Sequence, residues 1–329
     1  MKSRRQLLLS VAALLASSPL AALAQRPEKP RRIGVLSSSR RQEMRENMAF
    51  LEGGLRDLGW IDGRNLEVTW RFAEGSYERL PDLAKELVAL GVEVIVSFGG
   101  SATALAAQKA TGTIPVVFVN VGDPVALGLV DSLAHPGRNA TGFTNLSVDT
   151  ELKHLEMLRS FVPGLSRVAV LFNPANPASP RVLKAIRAAG SEARVTLLLL
   201  EAGTEMAITD SIQRMRTDLP GGIIVGGDAF MFMRRSQIAE GALALRLPSI
   251  GAHVGYAEAG GLLTYGANPA ESYQRAASSV DKILKGAKPG DIPVEQPTRL
   301  QLVINRKTAR ALGIGIPPDL LILADRVIE

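Results

Sequence analysis

The residues of this chain that could do chemistry stand where strands give way to helices. The sharpest is Asp123 in Val121-Gly122-Asp123-Pro124, directly after the apolar run Ile114–Asn120. Its carboxylate could cap the helix expected to follow, with Pro124 in the first turn, or reach a ligand, or do both. Gly122 would let a ligand approach the backbone closely, and Asn120 carries a donor and an acceptor together. Ser37-Ser38-Ser39 and Gly99-Gly100-Ser101 occupy two more such turns. Helix N-termini present free N–H groups and a partial positive charge, so Ser38, Gly100 and Ser101 suit a carboxylate; small residues are equally what tight βα turns require. Further along, Asn173 and Gly226-Gly227-Asp228 hold matching strand ends. Asp228 could pair with a ligand amine or cap the next helix. Tyr256 and Tyr265 could stack on a ligand or pack as half-buried residues.

This is chemistry of recognition. His135, His154 and His253 stand apart, without metal-ligand spacing. No Gly-x-Ser-x-Gly elbow, Walker loop or Gly-x-Gly-x-x-Gly occurs, and no nucleophile–base pair stands out. No catalytic residue, metal or cofactor is therefore expected.

The elements that must position these residues alternate in type. A strand at Arg32–Ser38 precedes a helix bearing Met44, Met48, Leu51, Leu55 and Leu58 on one stripe. Gly59 ends it, Asp62-Gly63 turns the chain, and strands are expected at Leu66–Phe72 and Val92–Phe98 with a helix from about Glu78 to Leu90 between them. Ser101 is placed to cap the next helix. After Ile114–Asn120 and its helix, Ala140–Asn145 reads as a chain crossing between lobes. The pattern restarts at Asp149 with a helix carrying Leu152, Leu155, Leu158 and Phe161, then a strand at Val168–Phe172 and an N-cap at Ser179-Pro180. Strands at Val195–Leu200, Gly222–Val225 and Pro248–Gly251 follow. Gly260–Asn268 is a short return strand leading into a helix with Tyr273, Ala276, Val280 and Ile283 on one face. A Pro-rich connector (Pro289–Pro297), a strand (Leu300–Asn305) and a helix (Thr308–Leu312) close the chain. Strands alternating with helices of ten or more residues imply βαβ units and parallel sheets, an α/β fold of two lobes. Open sheets of this kind place ligands beyond their strand ends, so Asn120–Asp123 should face a cleft between the lobes.

A length of 329 residues suits two domains, and 46% hydrophobic with 5% aromatic residues suits a core of Val, Ile, Leu and Ala. The opening MKSRRQLLLSVAALLASSPLAALAQ has a basic start, an apolar run from Leu7 to Leu15 and Ala22-Leu-Ala24 as a small-x-small cleavage site. Residues 1–24 thus read as a secretory signal, by the general or the twin-arginine route, because the run is shorter than the roughly 20 residues a spanning helix needs. Residues 25–31 read as a polar linker. Without residues 1–24 the formal net charge falls from +6 to +3, too little and too scattered for a nucleic-acid surface. There is no cysteine, hence neither disulfide nor lipid attachment. A free, soluble, monomeric protein of a bacterial periplasm is expected.

Several runs together resemble one known family. They are Gly122-Asp-Pro-Val125 with Gly128-Leu-Val130 and Pro136-Gly-Arg-Asn-Ala-Thr-Gly142; Phe172-Asn-Pro-Ala-Asn-Pro177; Tyr273-Gln-Arg-Ala-Ala277 through Val280-Asp-Lys-Ile-Leu-Lys-Gly-Ala-Lys-Pro289; Pro293-Val-Glu-Gln-Pro-Thr298; and Leu302-Val-Ile-Asn305. The pattern resembles the solute-binding proteins of ABC transporters of tryptophan/tyrosine type, over essentially the whole chain past the signal. Gly226–Arg234 and the short Gly190–Val195 join match more loosely, so the identity of the amino acid is not carried over. The resemblance implies a type I periplasmic-binding fold: two doubly wound parallel-sheet lobes joined by three crossovers, near Gly142–Asn145, Thr264–Asn268 and Ile292–Pro297. The N-terminal lobe would comprise 32–142 plus 268–292, and the C-terminal lobe 143–264 plus 297–329. It further implies capture of an amino acid or related carboxylate in the cleft and delivery to an ABC permease at the inner membrane. The same fold could instead report occupancy to a membrane receptor or kinase, and an exported α/β enzyme is the remaining alternative.

Overall fold

The structure is a computed structural model and describes residues 29–329. The expected export signal, with most of its linker, lies outside the described residues. The strands are β1 (Arg31–Ser37), β2 (Leu66–Phe72), β3 (Val94–Phe98), β4 (Val116–Val121), β5 (Ala140–Thr144), β6 (Arg167–Phe172), β7 (Thr196–Glu201), β8 (Ile223–Val225), β9 (Ser249–Gly251), β10 (Leu263–Ala267), β11 (Leu300–Asn305) and β12 (Arg326–Ile328). The helices are α1 (Arg45–Asp57), α2 (Leu80–Ala89), α3 (Ser101–Ala110), α4 (Ser147–Phe161), α5 (Ser179–Glu192), α6 (Glu205–Asp218), α7 (Ala229–Met233), α8 (Arg235–Ala244), α9 (Val254–Glu258), α10 (Pro269–Leu284), α11 (Arg306–Leu312) and α12 (Pro318–Leu323).

The first sheet runs β2-β1-β3-β4-β5 with every pairing parallel. Its central strands are continuous apolar runs because helices cover both faces. Met48, Leu51 and Leu55 of α1 meet Tyr273, Ala276, Ala277 and Val280 of α10 on one face. Leu80, Leu83 and Leu87 of α2, with Ala104 and Ala107 of α3, cover the other.

The second sheet runs β12-β11-β10-β9-β8-β6-β7, parallel except between β10 and β11. Leu155, Leu158 and Phe161 of α4 and Ile186 of α5 pack on one face. Ile208 and Met215 of α6 and Ile238 and Ala242 of α8 pack on the other. The fold is therefore α/β, two lobes built on mostly parallel sheets.

Three stretches join the lobes. The chain leaves β5 through Asn145 and Leu146 into α4, and returns from β10 through Asn268 into α10, which lies against α1 in the first lobe. In the third, the Glu295 N–H donates to the Gly142 carbonyl at 2.8 Å and Thr144 N–H donates to the Glu295 carbonyl at 3.0 Å before the chain enters β11. Leu146 stands at the first corner in the left-handed region, φ 52°, which costs an L-residue about 1–2 kcal/mol.

The structure corrects the local reading in several places. No helix follows Pro124; residues 124–133 form turns, broken at Gly128 (φ +70°) and tied by Arg138 Nη1 to the Gly128 carbonyl at 2.7 Å. Ala140–Thr144 is a sheet strand as well as a crossing. Ser101 and Ser179 are first residues of their helices rather than caps: Gly100 and Ala178 hold the cap positions. The tail past Leu312 adds α12 and the edge strand β12, and Leu58, at the end of the α1 stripe, is exposed.

Candidate functional site

A cleft of about 920 Å³ opens between the lobes at the C-terminal ends of the strands. Its first-lobe wall is set by two backbone devices. Gly100, the cap of α3, has φ 77°, a value that favours glycine, and this turn places the start of α3 on the cleft. The first N–H groups of a helix have no intrahelical partner and carry the positive end of its dipole. The second device is a register shift in the β4–β5 pairing between Phe118 and Val121. A bulge re-aims the side chain it carries, and here it turns Asn120, in the left-handed region at φ 59°, into the cleft. The Tyr273 phenol of α10 lies beside the Asn120 amide, and burial pushes its pKa up.

The second-lobe wall centres on Glu151 of α4. It is 2% exposed, its Oε1 accepts from the Gly227 N–H at 2.9 Å, and its Oε2 lies 3.5 Å from His154 Nδ1. His154, fully buried, places Nε2 at 2.7 Å from the Tyr265 carbonyl; a carbonyl only accepts, so Nε2 carries the proton. His253 faces the cleft with its ring edge-on to Phe232 at 5.3 Å between centroids, while the Arg235 guanidinium covers that phenyl ring at 4.4 Å. Burial lowers the His253 pKa to about 4, the Glu151 carboxylate opposing the shift and Arg235 reinforcing it.

The lobes meet through side chains. Asp228 Oδ1 accepts from the Phe230 and Met231 N–H groups, capping α7, and from Asn173 Nδ2 at 3.1 Å. Its Oδ2 accepts from the Tyr77 hydroxyl of the first lobe at 2.8 Å. Burial raises the Asp228 pKa against these hydrogen bonds, and burial with the Asp228 charge raises that of Tyr77. At the rim, Arg181 Nε of α5 pairs with Asp123 Oδ2 at 2.6 Å. Gly122 touches the second lobe so closely that a Cβ there would come 2.5 Å from Ser147 Oγ.

Of the residues expected at the site, Gly100, Ser101, Asn120, Gly122, Asn173 and Asp228 line the cleft. Four others lie away from its lining. Ser38 is fully buried under the Gly99 turn, and its neighbour Ser39 faces the cleft instead. Asp123 sits on the rim, where its Oδ1 accepts from the Ala126 N–H and its Oδ2 is taken by Arg181. Tyr256 lies in the second-lobe core with its hydroxyl on Ser249 Oγ at 2.7 Å. Tyr265 packs on the opposite core layer of that lobe. Among those that do line the cleft, Asp228 has its oxygens committed to Tyr77, Asn173 and the α7 backbone. Ser101 Oγ accepts from the Gly122 N–H at 3.3 Å, tying the two turns together.

Tyr77, Glu151, His154, His253 and Phe232 were not anticipated. Glu151 and His154 did leave a signal. With Leu158 and Phe161 they form one 3-4-3 stripe on α4, two polar residues in register with apolar ones. Among the described residues, no cluster of His, Cys, Asp and Glu could hold a metal ion, and no helix is long and apolar enough to cross a membrane.

Comparison with known proteins bears on the whole described chain. Residues 32–328 match the family model described as ABC transporter substrate binding protein. A tyrosine-binding protein of Clostridioides difficile is 25% identical over 263 residues, 79% of this chain and 74% of that protein. A solved conserved domain protein of Vibrio cholerae is 26% identical with a TM-score of 0.85, covering 91% of this chain and 100% of its own. A Streptococcus pneumoniae ABC domain solved in complex with L-Trp is 24% identical with a TM-score of 0.83 over the same shares.

Proposed function

We propose, from the premise that this chain belongs to the family of ABC transporter substrate-binding proteins, that it captures an amino acid or related carboxylate between its lobes and delivers it to an ABC permease. The observation that carries this reading is the opposition of two walls in one cleft. On one side the first turn of α3 offers N–H groups and a positive dipole end, suited to a carboxylate. On the other, a buried polar wall of Glu151, Asn173 and Gly227 belongs to the second lobe. A solute that bonds both walls stabilises the closed arrangement over an open one, by the difference in its affinity for the two. The permease reads that arrangement.

Such work needs no bond-making, in keeping with relatives that are binding proteins, and the protein acts as a receptor rather than an enzyme. The relatives' printed ligands, tyrosine and L-Trp, make aromatic amino acids the first solutes to try. The export signal read from residues 1–24 fits a periplasmic protein working on the outer side of the permease.

Calorimetric titration of the chain lacking residues 1–24, against amino acids and aromatic carboxylates, tests the reading. One-to-one binding of at least one such solute, weakened by bulky substitutions at Gly100, is expected. Heat-silent titrations across the panel, with no thermal stabilisation, would sink it.

A further inference from the structure

At the back of the cleft, where the lobes meet, lies a recess of about 30 Å³, above the roughly 10–15 Å³ that a water-sized group requires. Asn120 lines it from the first lobe and Glu151 from the second. Each leaves an acceptor, Asn120 Oδ1 and Glu151 Oε2, without a hydrogen-bond donor among the described residues. A carboxylate oxygen so deeply buried is strongly disfavoured unless a donor, and preferably a positive charge, reaches it. His154 Nδ1 at 3.5 Å is too far for a good hydrogen bond, and its other nitrogen is committed to the Tyr265 carbonyl. His253, on the same recess, is held neutral by burial and brings no charge. The Gly227 N–H holds the Glu151 carboxylate through its other oxygen.

Two acceptors from opposite lobes around a small volume suit one chemical group. We propose that this recess takes a primary ammonium of the solute, held between Asn120 Oδ1 and Glu151 Oε2. The assignment rests on the reading of the cleft as a solute site and narrows it. Gly100 at the α3 terminus is adjacent to Asn120, a Cβ there lying 3.3 Å from the Asn120 carbonyl oxygen. The carboxylate and ammonium subsites are therefore neighbours, which suits the α-amino acid arrangement with both groups on one carbon. Glu151 is then a specificity-determining residue, separating amino acids from deaminated acids of the same shape.

The test pairs ligands and variants. L-tyrosine, L-tryptophan and the other common L-amino acids are titrated into the chain lacking residues 1–24. Each that binds is then compared with its deaminated counterpart, for example indole-3-propionate against L-tryptophan. The amine should improve affinity by about 100-fold, as expected for a buried charge pair. Glu151→Gln should erase that preference by weakening binding of the amine, and a cooperative thermal transition followed by circular dichroism shows that the variant is folded. Should Glu151→Gln not fold, the amine preference of the wild type and its reduction in Asn120→Ala decide the matter. Equal affinity of the wild type for amine and deaminated acid would overturn the assignment and leave the solute reading standing. Binding of no solute at all would overturn both.

Discussion

The hydroxyl of Tyr77 in the first lobe donates to the Asp228 carboxylate of the second at 2.8 Å. A hydrogen bond to a charged, buried acceptor contributes roughly 1.5–3 kcal/mol, and this one exists only while the lobes are together. Tyr77→Phe should therefore leave each lobe intact and favour the open arrangement. A fall in solute affinity of about 10-fold or more, with an unliganded radius of gyration at or above that of the wild type in small-angle scattering, is expected. An unchanged affinity would mean the contact does not hold the lobes.

Asp228 has a second duty that Tyr77 does not share, because its Oδ1 caps α7 and accepts from Asn173. Asp228→Ala strands the Asn173 and Tyr77 donors and removes the cap, for a loss of about 3 kcal/mol in urea unfolding. Asp228→Asn keeps an acceptor for the α7 N–H groups and should lose only about 1 kcal/mol. Similar losses for the two variants would contradict the capping role.

Acid should destabilise the protein through His253. Its folded pKa of about 4 lies below the ordinary 6.5, so its contribution is full above 6.5 and lost as pH falls toward 4. The loss is at most about 3 kcal/mol, less where cleft water reaches the ring. Asp228 works in the other direction: with its pKa raised from 3.8, its contribution is present below 3.8 and lost as pH rises through the folded value. His253→Gln should flatten the fall in melting temperature between pH 6.5 and 4, and Asp228→Asn should steepen it. Parallel curves for His253→Gln and the wild type would count against a buried, neutral imidazole.

Asp123 is expected to matter little despite being the most conspicuous acid in the sequence. Its pair with Arg181 spans the lobes, but the arginine is 61% exposed, and exposed pairs contribute less than about 1 kcal/mol. Asp123→Ala should change solute affinity only a few-fold, and the change should shrink in high salt. A loss of about 100-fold would restore Asp123 as a solute contact.

How far the site was legible follows from these contrasts. The βα alternation and the apolar strands carried the fold, because parallel strands buried on both faces leave an unambiguous pattern. The Gly-Gly-Ser turn and Asn120 were readable because strand ends are where such sheets put ligands. Tyr77 was not, since its role depends on the approach of a residue 151 positions away. Glu151 was legible only in part: its place on the buried α4 stripe with His154, Leu158 and Phe161 marks it as covered, but the Gly227 N–H that holds its carboxylate lies 76 positions away. The helix expected after Pro124 failed for a local reason: Gly128 and the Arg138 anchor end each turn before a second can form.

A solute carrying a carboxylate and an ammonium is expected to bridge the two lobes. A crystal structure with the tightest-binding amino acid tests it most directly. The carboxylate is expected on the first turn of α3 and the ammonium between Asn120 Oδ1 and Glu151 Oε2. A solute seated outside the cleft, or one whose amine faces away from Glu151, would contradict it.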